Sequence, residues 1–94
     1  MKINRILCCC MSGLGSSFLV EMNVKKVIHS LGMDGVTVDH AGVYDAGPGA
    51  ADLFICGSDI REECEKYGPT IALDSLTDYQ ELEQKFRALM EEKG

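Results

Sequence analysis

The sequence predicts an α/β fold: a four-stranded parallel sheet flanked by helices on both faces, in a Rossmann-like three-layer sandwich. Short apolar runs alternate with segments of helical periodicity along the chain. The apolar runs are too short to be helices, and turn-forming glycine residues or prolines stand at their ends. Strands that alternate with helices pair in parallel, because each helix carries the chain back to the same edge of the sheet.

The first half of the chain supplies two strands and a helix. Ile3–Cys10 is an apolar run that ends in a glycine-rich turn, which predicts a buried first strand. From Ser16 the apolar residues recur at helical spacing, and Gly32 is placed to cap the end of this helix. Glu21 falls off the apolar face and is expected in solvent. Val36–Ala41 is predicted to be the second strand.

The second half repeats the pattern after a loop rich in glycine. Asp52–Gly57 is apolar and predicts a third buried strand, and the polar segment Ser58–Tyr67 predicts a short helix. Thr70–Leu73 predicts a short fourth strand. The last helix is expected to begin with a capping box made by Thr77 and Gln80.

Length and charge exclude several functions. A chain of 94 residues with no linker or internal repeat is expected to form one domain over residues 1–94. Its formal net charge of −6 disfavours binding to nucleic acid or to anionic membranes. There is no apolar stretch of the length that spans a bilayer, and the apolar run near the N-terminus is too short for a secretory signal. We therefore expect a cytoplasmic protein without membrane insertion.

The five cysteines indicate reduced thiols rather than disulfides or a metal site. Their number is odd, three are consecutive, and no C-x-x-C pair occurs. Neighbouring strand residues point to opposite faces, so the run Cys8-Cys9-Cys10 does not suit a disulfide framework. The two histidines lack the spacing to join them as zinc ligands. The sequence predicts no metal and no cofactor.

One segment carries the features of a reactive site. The predicted first strand ends, a tight loop follows, and a helix begins, in the order Cys10-Met11-Ser12-Gly13-Leu14-Gly15-Ser16-Ser17. The glycines allow several backbone N–H groups to converge on an anion, and the start of the helix adds further donors. The same donors stabilise a thiolate, which makes Cys10 the candidate nucleophile. Glycines between a strand and a helix are common, however, and by themselves serve equally well as a simple turn.

Other residues near this segment have weaker claims to the site. Cys8 and Cys9 are expected in the core, whereas Cys56 lies at a strand end and either packs in the core or approaches Cys10. His40, at the end of the second strand, is either a polar edge residue or a neighbour of Cys10. His29 and Cys64 are given no role. Met11 and Leu14 either protrude as a docking surface or anchor the loop.

The loop resembles the active-site loop of enzyme IIB components of the bacterial sugar phosphotransferase system (PTS). The match is strongest with the branch of ascorbate-type transporters, and more distantly with the galactitol type, in which a cysteine is followed by glycines three and five residues later and then by paired small hydroxyl residues. The residues that match are Cys10, Gly13, Gly15, Ser16 and Ser17. The resemblance implies that Cys10 accepts a phosphoryl group from phosphohistidine of a IIA partner. It further implies transfer to an ascorbate-like or related sugar bound by a membrane IIC component.

Three alternatives stay open. Low-molecular-weight tyrosine phosphatases have a similar loop, but Ser16 stands where their arginine would clamp the phosphate, and Asp45, Asp59 and Asp74 are only unassigned candidates for a catalytic acid. A non-catalytic IIB-like binding or regulatory domain would keep the shape without the chemistry. A thiol redox protein would use Cys8 or Cys9 to resolve an oxidised Cys10, although adjacent cysteines on a strand pair poorly.

Overall fold

The computed structural model describes residues 3–11 and 16–93 of the chain. Strands and helices alternate along these residues. Short 3₁₀ segments follow the second and third strands, at Val43–Asp45 and Ser58–Ile60. The regular elements are β1 (Arg5–Cys10), α1 (Ser16–Ser30), β2 (Thr37–Gly42), β3 (Leu53–Gly57), α2 (Arg61–Glu65), β4 (Thr70–Leu73) and α3 (Tyr79–Lys93).

The strands form a parallel sheet in the order β2-β1-β3-β4. The chain moves from β1 to one side for β2 and then to the other side for β3 and β4. The carboxyl end of β1 therefore lies at the switch in strand order, where ligands bind in open α/β sheets. The sheet, with α1 and α3 on one face and α2 on the other, confirms the fold class that the sequence predicts.

Alternation along β1 divides the core into two layers. Ile6 and Cys8 face the layer beneath α1 and α3, where Val24 of α1 and Phe86 of α3 are fully buried. The opposite face carries a smaller layer beneath α2. The buried members of that layer are Leu7, Cys9, Val43, Phe54, Cys56, Ile60 and Cys64. The expectation that Cys8 and Cys9 are core residues on opposite faces is confirmed.

The end of α1 is formed as the sequence predicts. Gly32 has a φ of 69°, in the left-handed region that side chains rarely adopt. Its N–H donates to the carbonyl of His29 at 3.1 Å, and the N–H of Met33 donates to the carbonyl of Ile28 at 3.1 Å. This pair of bonds is the Schellman motif, which satisfies carbonyl groups at the end of the helix.

The start of α3 differs from the prediction by one residue. The helix begins at Tyr79, so Asp78 rather than Thr77 is the capping residue, and its carboxylate accepts the backbone N–H of Glu81 at 3.2 Å. Glu81 in turn accepts the backbone N–H groups of Asp74 and Ser75 at 2.8 and 3.0 Å. The carboxylate of Glu81 therefore ties the start of α3 to the end of β4.

The remaining boundaries differ by small amounts. β2 runs from Thr37 to Gly42, one residue later than predicted at each end, and β4 matches the prediction. β3 begins at Leu53, one residue later than predicted, and the carboxylate of Asp52 accepts the backbone N–H groups of Asn4 and Arg5 at the start of β1. Among the residues that the structure describes, no helix is long and apolar enough to cross a bilayer.

Candidate functional site

Cys10 is the last residue of β1 and lies at the switch in strand order. Its partner in β2 is Gly42, and β3 on the other side also ends in a glycine, Gly57. Because glycine has no side chain, neither neighbouring strand places a side chain directly beside the end of β1. No side chain from the paired positions of β2 and β3 thus flanks Cys10.

Burial separates Cys10 from the other cysteines. All five lie within the described residues and are thiols, and four of them are buried while Cys10 is partly exposed. Cys8 is fully enclosed beneath α1, and this burial, together with the nearby carboxylate of Glu21, raises its pKa. A buried thiol with a raised pKa is a poor nucleophile, so Cys10 is the cysteine that a reagent in solution reaches.

Cys64 belongs to a cluster that the sequence interpretation missed. It lies on α2 one turn after Ile60, and both side chains are buried against the sheet. Cys9 and Cys56 are direct neighbours in β1 and β3, and both are hydrogen-bonded to Cys64. These bonds raise the pKa of Cys9 and Cys56 and lower that of Cys64. The spacing of Ile60 and Cys64 is the signal that would have predicted this burial.

The cluster packs on the face of the sheet opposite α1, so Cys56 is a core residue rather than a neighbour of the Cys10 side chain. Within the described ranges, no group of three or more His, Cys, Asp or Glu side chains is arranged to hold a metal ion. A groove of about 320 Å³ lies between α2, β4 and α3, and none of the predicted site residues lines it.

The structure shows part of the predicted loop. Met11 follows β1 directly and is 54% exposed, and α1 begins at Ser16 as predicted. The five-residue connection between Cys10 and Ser16 thus joins the end of a buried strand to the N-terminus of a 15-residue helix. The N-terminal N–H groups of such a helix have no partner within it and favour negative charge. The predicted phosphate-binding residues Ser12, Gly13, Leu14 and Gly15 lie outside the described residues.

His40 lies on the same face of the sheet as Cys10. It is paired in register with Cys8, two residues before Cys10, and strand alternation places all three side chains on the side of α1. Its Nδ1 is hydrogen-bonded to the carboxylate of Glu21. The ring of Phe18 stands edge-on to the imidazole, with centroids 5.7 Å apart. His29, by contrast, is exposed near the end of α1.

Glu21 does not lie in solvent as the sequence interpretation expected. Its side chain is 11% exposed, and its second oxygen accepts Lys25 Nζ at 2.8 Å. The hydrogen bonds from Lys25 and His40 lower the pKa of Glu21, against the opposing effect of burial. The helical pattern alone missed this residue, because the partner that buries it is on another element, β2.

Exposed apolar side chains occur on the elements that meet at this edge of the sheet. They follow β1, occupy the first turns of α1, and follow β2. Tyr44, in the 3₁₀ segment after β2, is 73% exposed. The five exposed large apolar residues of the described chain are Met11, Phe18, Leu19, Met22 and Tyr44. Of the two predicted protruding residues, Met11 is thus exposed, and Leu14 lies outside the described residues.

Fold and site together define a Rossmann-like α/β domain with an accessible thiol at the switch point of its sheet. Residues 5–88 match the family described as PTS system, Lactose/Cellobiose specific IIB subunit, and the chain therefore belongs to the IIB family of the sugar phosphotransferase system. The match does not distinguish the ascorbate-type branch. No curated protein matches the chain.

Membership defines the general role. IIB domains are phosphotransferase components that take part in phosphoryl transfer during sugar transport, and they work with IIA and IIC components. The chain is accordingly a transferase component of such a system.

Proposed function

We propose that Cys10 is the phosphoryl-carrying residue of this IIB domain. In the first step, the Cys10 thiolate attacks the phosphorus of phosphohistidine on a IIA protein. The S–P bond forms, the P–N bond breaks, and the donor imidazole keeps the electron pair and takes up a proton. In the second step, a hydroxyl of the sugar held by the membrane IIC component attacks phosphorus, the hydroxyl proton is lost, and the Cys10 thiolate leaves.

The observation that carries the proposal is the exposure of a single thiol at the switch point of the sheet. The other four cysteines are buried, and the β1–α1 connection leads from Cys10 into the N-terminus of α1. The backbone from Met11 to Ser17, with the serine hydroxyls, is proposed to hold the phosphoryl group. Phosphoryl transfer needs positioning and charge stabilisation above all, and backbone N–H donors supply both.

The exposed apolar residues support docking of a protein partner at this edge. Met11, Phe18 and Tyr44 lie on the three elements nearest the carboxyl ends of β1 and β2. Apolar surface beside a reactive group is typical of a docking site. We propose IIA and IIC as the partners, a cytoplasmic location, and no role for nucleic acid. The sugar is ascorbate-like by the resemblance of the loop, and lactose or cellobiose are the alternatives that the family description suggests.

The test is phosphorylation of the protein by the general PTS proteins, phosphoenolpyruvate and a panel of IIA proteins. We expect one phosphoryl group on the wild-type chain, mapped to Cys10 by peptide mass spectrometry, and none on Cys10→Ser. Cys8→Ala is the matched control, because it removes a buried thiol from the same strand and the same face. Undiminished phosphorylation of Cys10→Ser would refute the assignment.

A second assay separates the alternatives. The edge of the sheet that carries Cys10 also carries candidate acids for a phosphatase-like hydrolase. These are Asp45, Asp59 and Asp74, which follow β2, β3 and β4. We nevertheless expect negligible hydrolysis of p-nitrophenyl phosphate, because Ser16 replaces the arginine of such enzymes. Rapid turnover would favour the hydrolase. If the protein is neither phosphorylated nor able to hydrolyse the ester, a binding or regulatory domain would be favoured.

A further inference from the structure

The pair formed by His40 and Glu21 is a polar cluster that the proposed transfer steps do not use. Its members come from two elements, β2 and α1, that flank the end of β1. A carboxylate that is nine-tenths buried is unusual unless a partner holds its charge, and Glu21 has two such partners, Lys25 and His40. The hydrogen bond between His40 and Glu21 therefore fixes both side chains on the face of the sheet that carries Cys10.

We propose that His40, oriented by Glu21, is an electrostatic positioning residue for Cys10: its protonated imidazole favours the thiolate of Cys10 and the phosphoryl group that replaces it. The effect of His40 on the phosphoryl group rests on the proposed function. The charge effect on the Cys10 thiol holds for any chemistry at this cysteine.

The register places the two residues close together. His40 is the partner of Cys8, and Cys10 is two residues further along β1 on the same face. From the spacing of strands and the rise per residue, the Cα atoms of His40 and Cys10 are about 8 Å apart. With the Cα atoms this close, a charge on the imidazole, whose side chain is 36% exposed, acts on the thiolate without contact.

The charges around His40 determine the sign of the effect. From α1 they are Glu21 and Lys25, and from β2 Asp39, which is paired with Arg5 at 3.5 Å. The thiol of Cys8 on β1 is paired in register with His40 but adds no charge, because burial raises its pKa. The negative charge of Glu21 is balanced by the positive charge of Lys25. Protonation of His40 therefore adds a net positive charge to the face of the sheet that carries Cys10, and a positive charge there stabilises a thiolate.

The effect is large enough to measure. One charge at about 8 Å, at an effective dielectric constant between that of a protein surface and that of water, changes the thiolate fraction about threefold to thirtyfold. The effect lasts only while the imidazole carries its proton, so it depends on pH. A merely structural role of His40 would instead change the reactivity of Cys10 by the same factor at every pH.

The experiment measures the rate of iodoacetamide alkylation of Cys10 between about pH 5.5 and pH 8.5, where imidazole changes charge. Wild type is compared with His40→Gln, and alkylation is mapped by peptide mass spectrometry. We expect wild type to react about threefold to thirtyfold faster than His40→Gln while the imidazole is protonated, and the ratio of the two rates to fall as the pH rises. A ratio that does not change with pH would overturn the proposal.

Two further variants control the result. In Glu21→Gln the imidazole loses the carboxylate that orients it, so we expect the dependence of the alkylation rate on pH to become weaker, as in His40→Gln; a pH dependence as strong as that of wild type would contradict the role given to Glu21. This variant keeps the proposal testable if His40→Gln does not fold. In Lys25→Met the charge of Glu21 is no longer balanced, so alkylation of Cys10 should slow at every pH, while the ratio between this variant and Lys25→Met/His40→Gln should still depend on pH. A ratio that does not change with pH in this background would contradict the proposal.

Phosphorylation then distinguishes this inference from the proposed function. The rate of phosphoryl transfer from IIA to Cys10 should show the same pH-dependent ratio between wild type and His40→Gln. If the alkylation ratio is found but Cys10 is never phosphorylated, the charge effect stands and the proposed function fails. If Cys10 is phosphorylated and both ratios are flat, the function stands and the role of His40 is refuted.

Discussion

Replacing Glu81 with Gln removes the charge that joins the end of β4 to the start of α3. The carboxylate accepts backbone N–H groups of Asp74 and Ser75 and the ammonium of Lys85, all within 3.0 Å. The hydrogen bond from Lys85 and then those from the two backbone groups lower the pKa of Glu81 to about 2. A carboxylate held in this way stabilises the folded state over the unfolded chain.

The size of the effect follows from the hydrogen bonds that Gln weakens. Gln keeps one acceptor oxygen but loses the charge, and one backbone N–H is left without its partner. We expect a loss of about 1 to 2 kcal/mol in the free energy of unfolding at neutral pH. For a domain of this size that is a fall of about 4 to 16 °C in the melting temperature.

The sign of the pH dependence is fixed by the direction of the shift. Because the pKa of Glu81 is lower in the folded protein than in the unfolded chain, its contribution is complete above about pH 4.3. It is lost as the pH falls toward about 2. The difference in stability between wild type and Glu81→Gln should therefore shrink over this window and vanish at its lower end.

Urea unfolding followed by circular dichroism between neutral pH and about pH 2.5 measures this difference. Glu65→Gln is the matched control, because within the described part of the chain Glu65 pairs with Arg61 alone, at 3.1 Å, and its side chain is half exposed. That change should cost less than about 0.5 kcal/mol. Equal losses in the two variants, or a loss in Glu81→Gln that does not depend on pH, would refute the reasoning.

Three further predictions concern packing, backbone and thiols. Phe86→Ala should cost about 3 to 5 kcal/mol in urea unfolding, because Phe86 is fully buried, whereas Tyr44→Ala should stay within about 0.5 kcal/mol. Gly32→Ala should cost about 1 kcal/mol through its positive φ, since a Cβ there meets nothing within 4 Å. Gly47→Ala, equally open and without a positive φ, should be neutral or stabilising in the same assay. Native iodoacetamide treatment should modify Cys10 well before the other cysteines, which should react together on unfolding. Simultaneous modification of all five would contradict the burial that separates them.

The order of the strands and helices could be read from the sequence because each depends on a local pattern. Apolar runs bounded by turn residues predict strands wherever they lie in the fold, and Thr70–Leu73 was bounded correctly on that basis. Gly32 was recognised as a cap because a left-handed residue is needed just after a helix. The sequence places the cap of α3 one residue too early, because Thr77 with Gln80 and Asp78 with Glu81 have the same spacing. The choice between them depends on the backbone just after β4, where Asp74 and Ser75 donate to Glu81.

The sequence was a weaker guide to the neighbours of Cys10. Glu21 looks like a solvated helix residue until β2 brings His40 against it. Cys64 looks incidental until α2 packs on the sheet above Cys9 and Cys56. In each case the informative partner is far along the chain, so no local pattern carries the signal. The predicted cradle for the phosphoryl group, from Met11 to Ser17, remains a prediction.

The sequence by itself determined the α/β class, the position of Cys10 at the end of the first strand, and the resemblance to IIB domains. These depend on periodicity and spacing, which act between residues close together in the chain. Only the tertiary structure decided which thiol is accessible and which polar groups share its face of the sheet. Burial and charge are properties of what packs against a residue, and that packing is set by strand order and register rather than by neighbours in sequence.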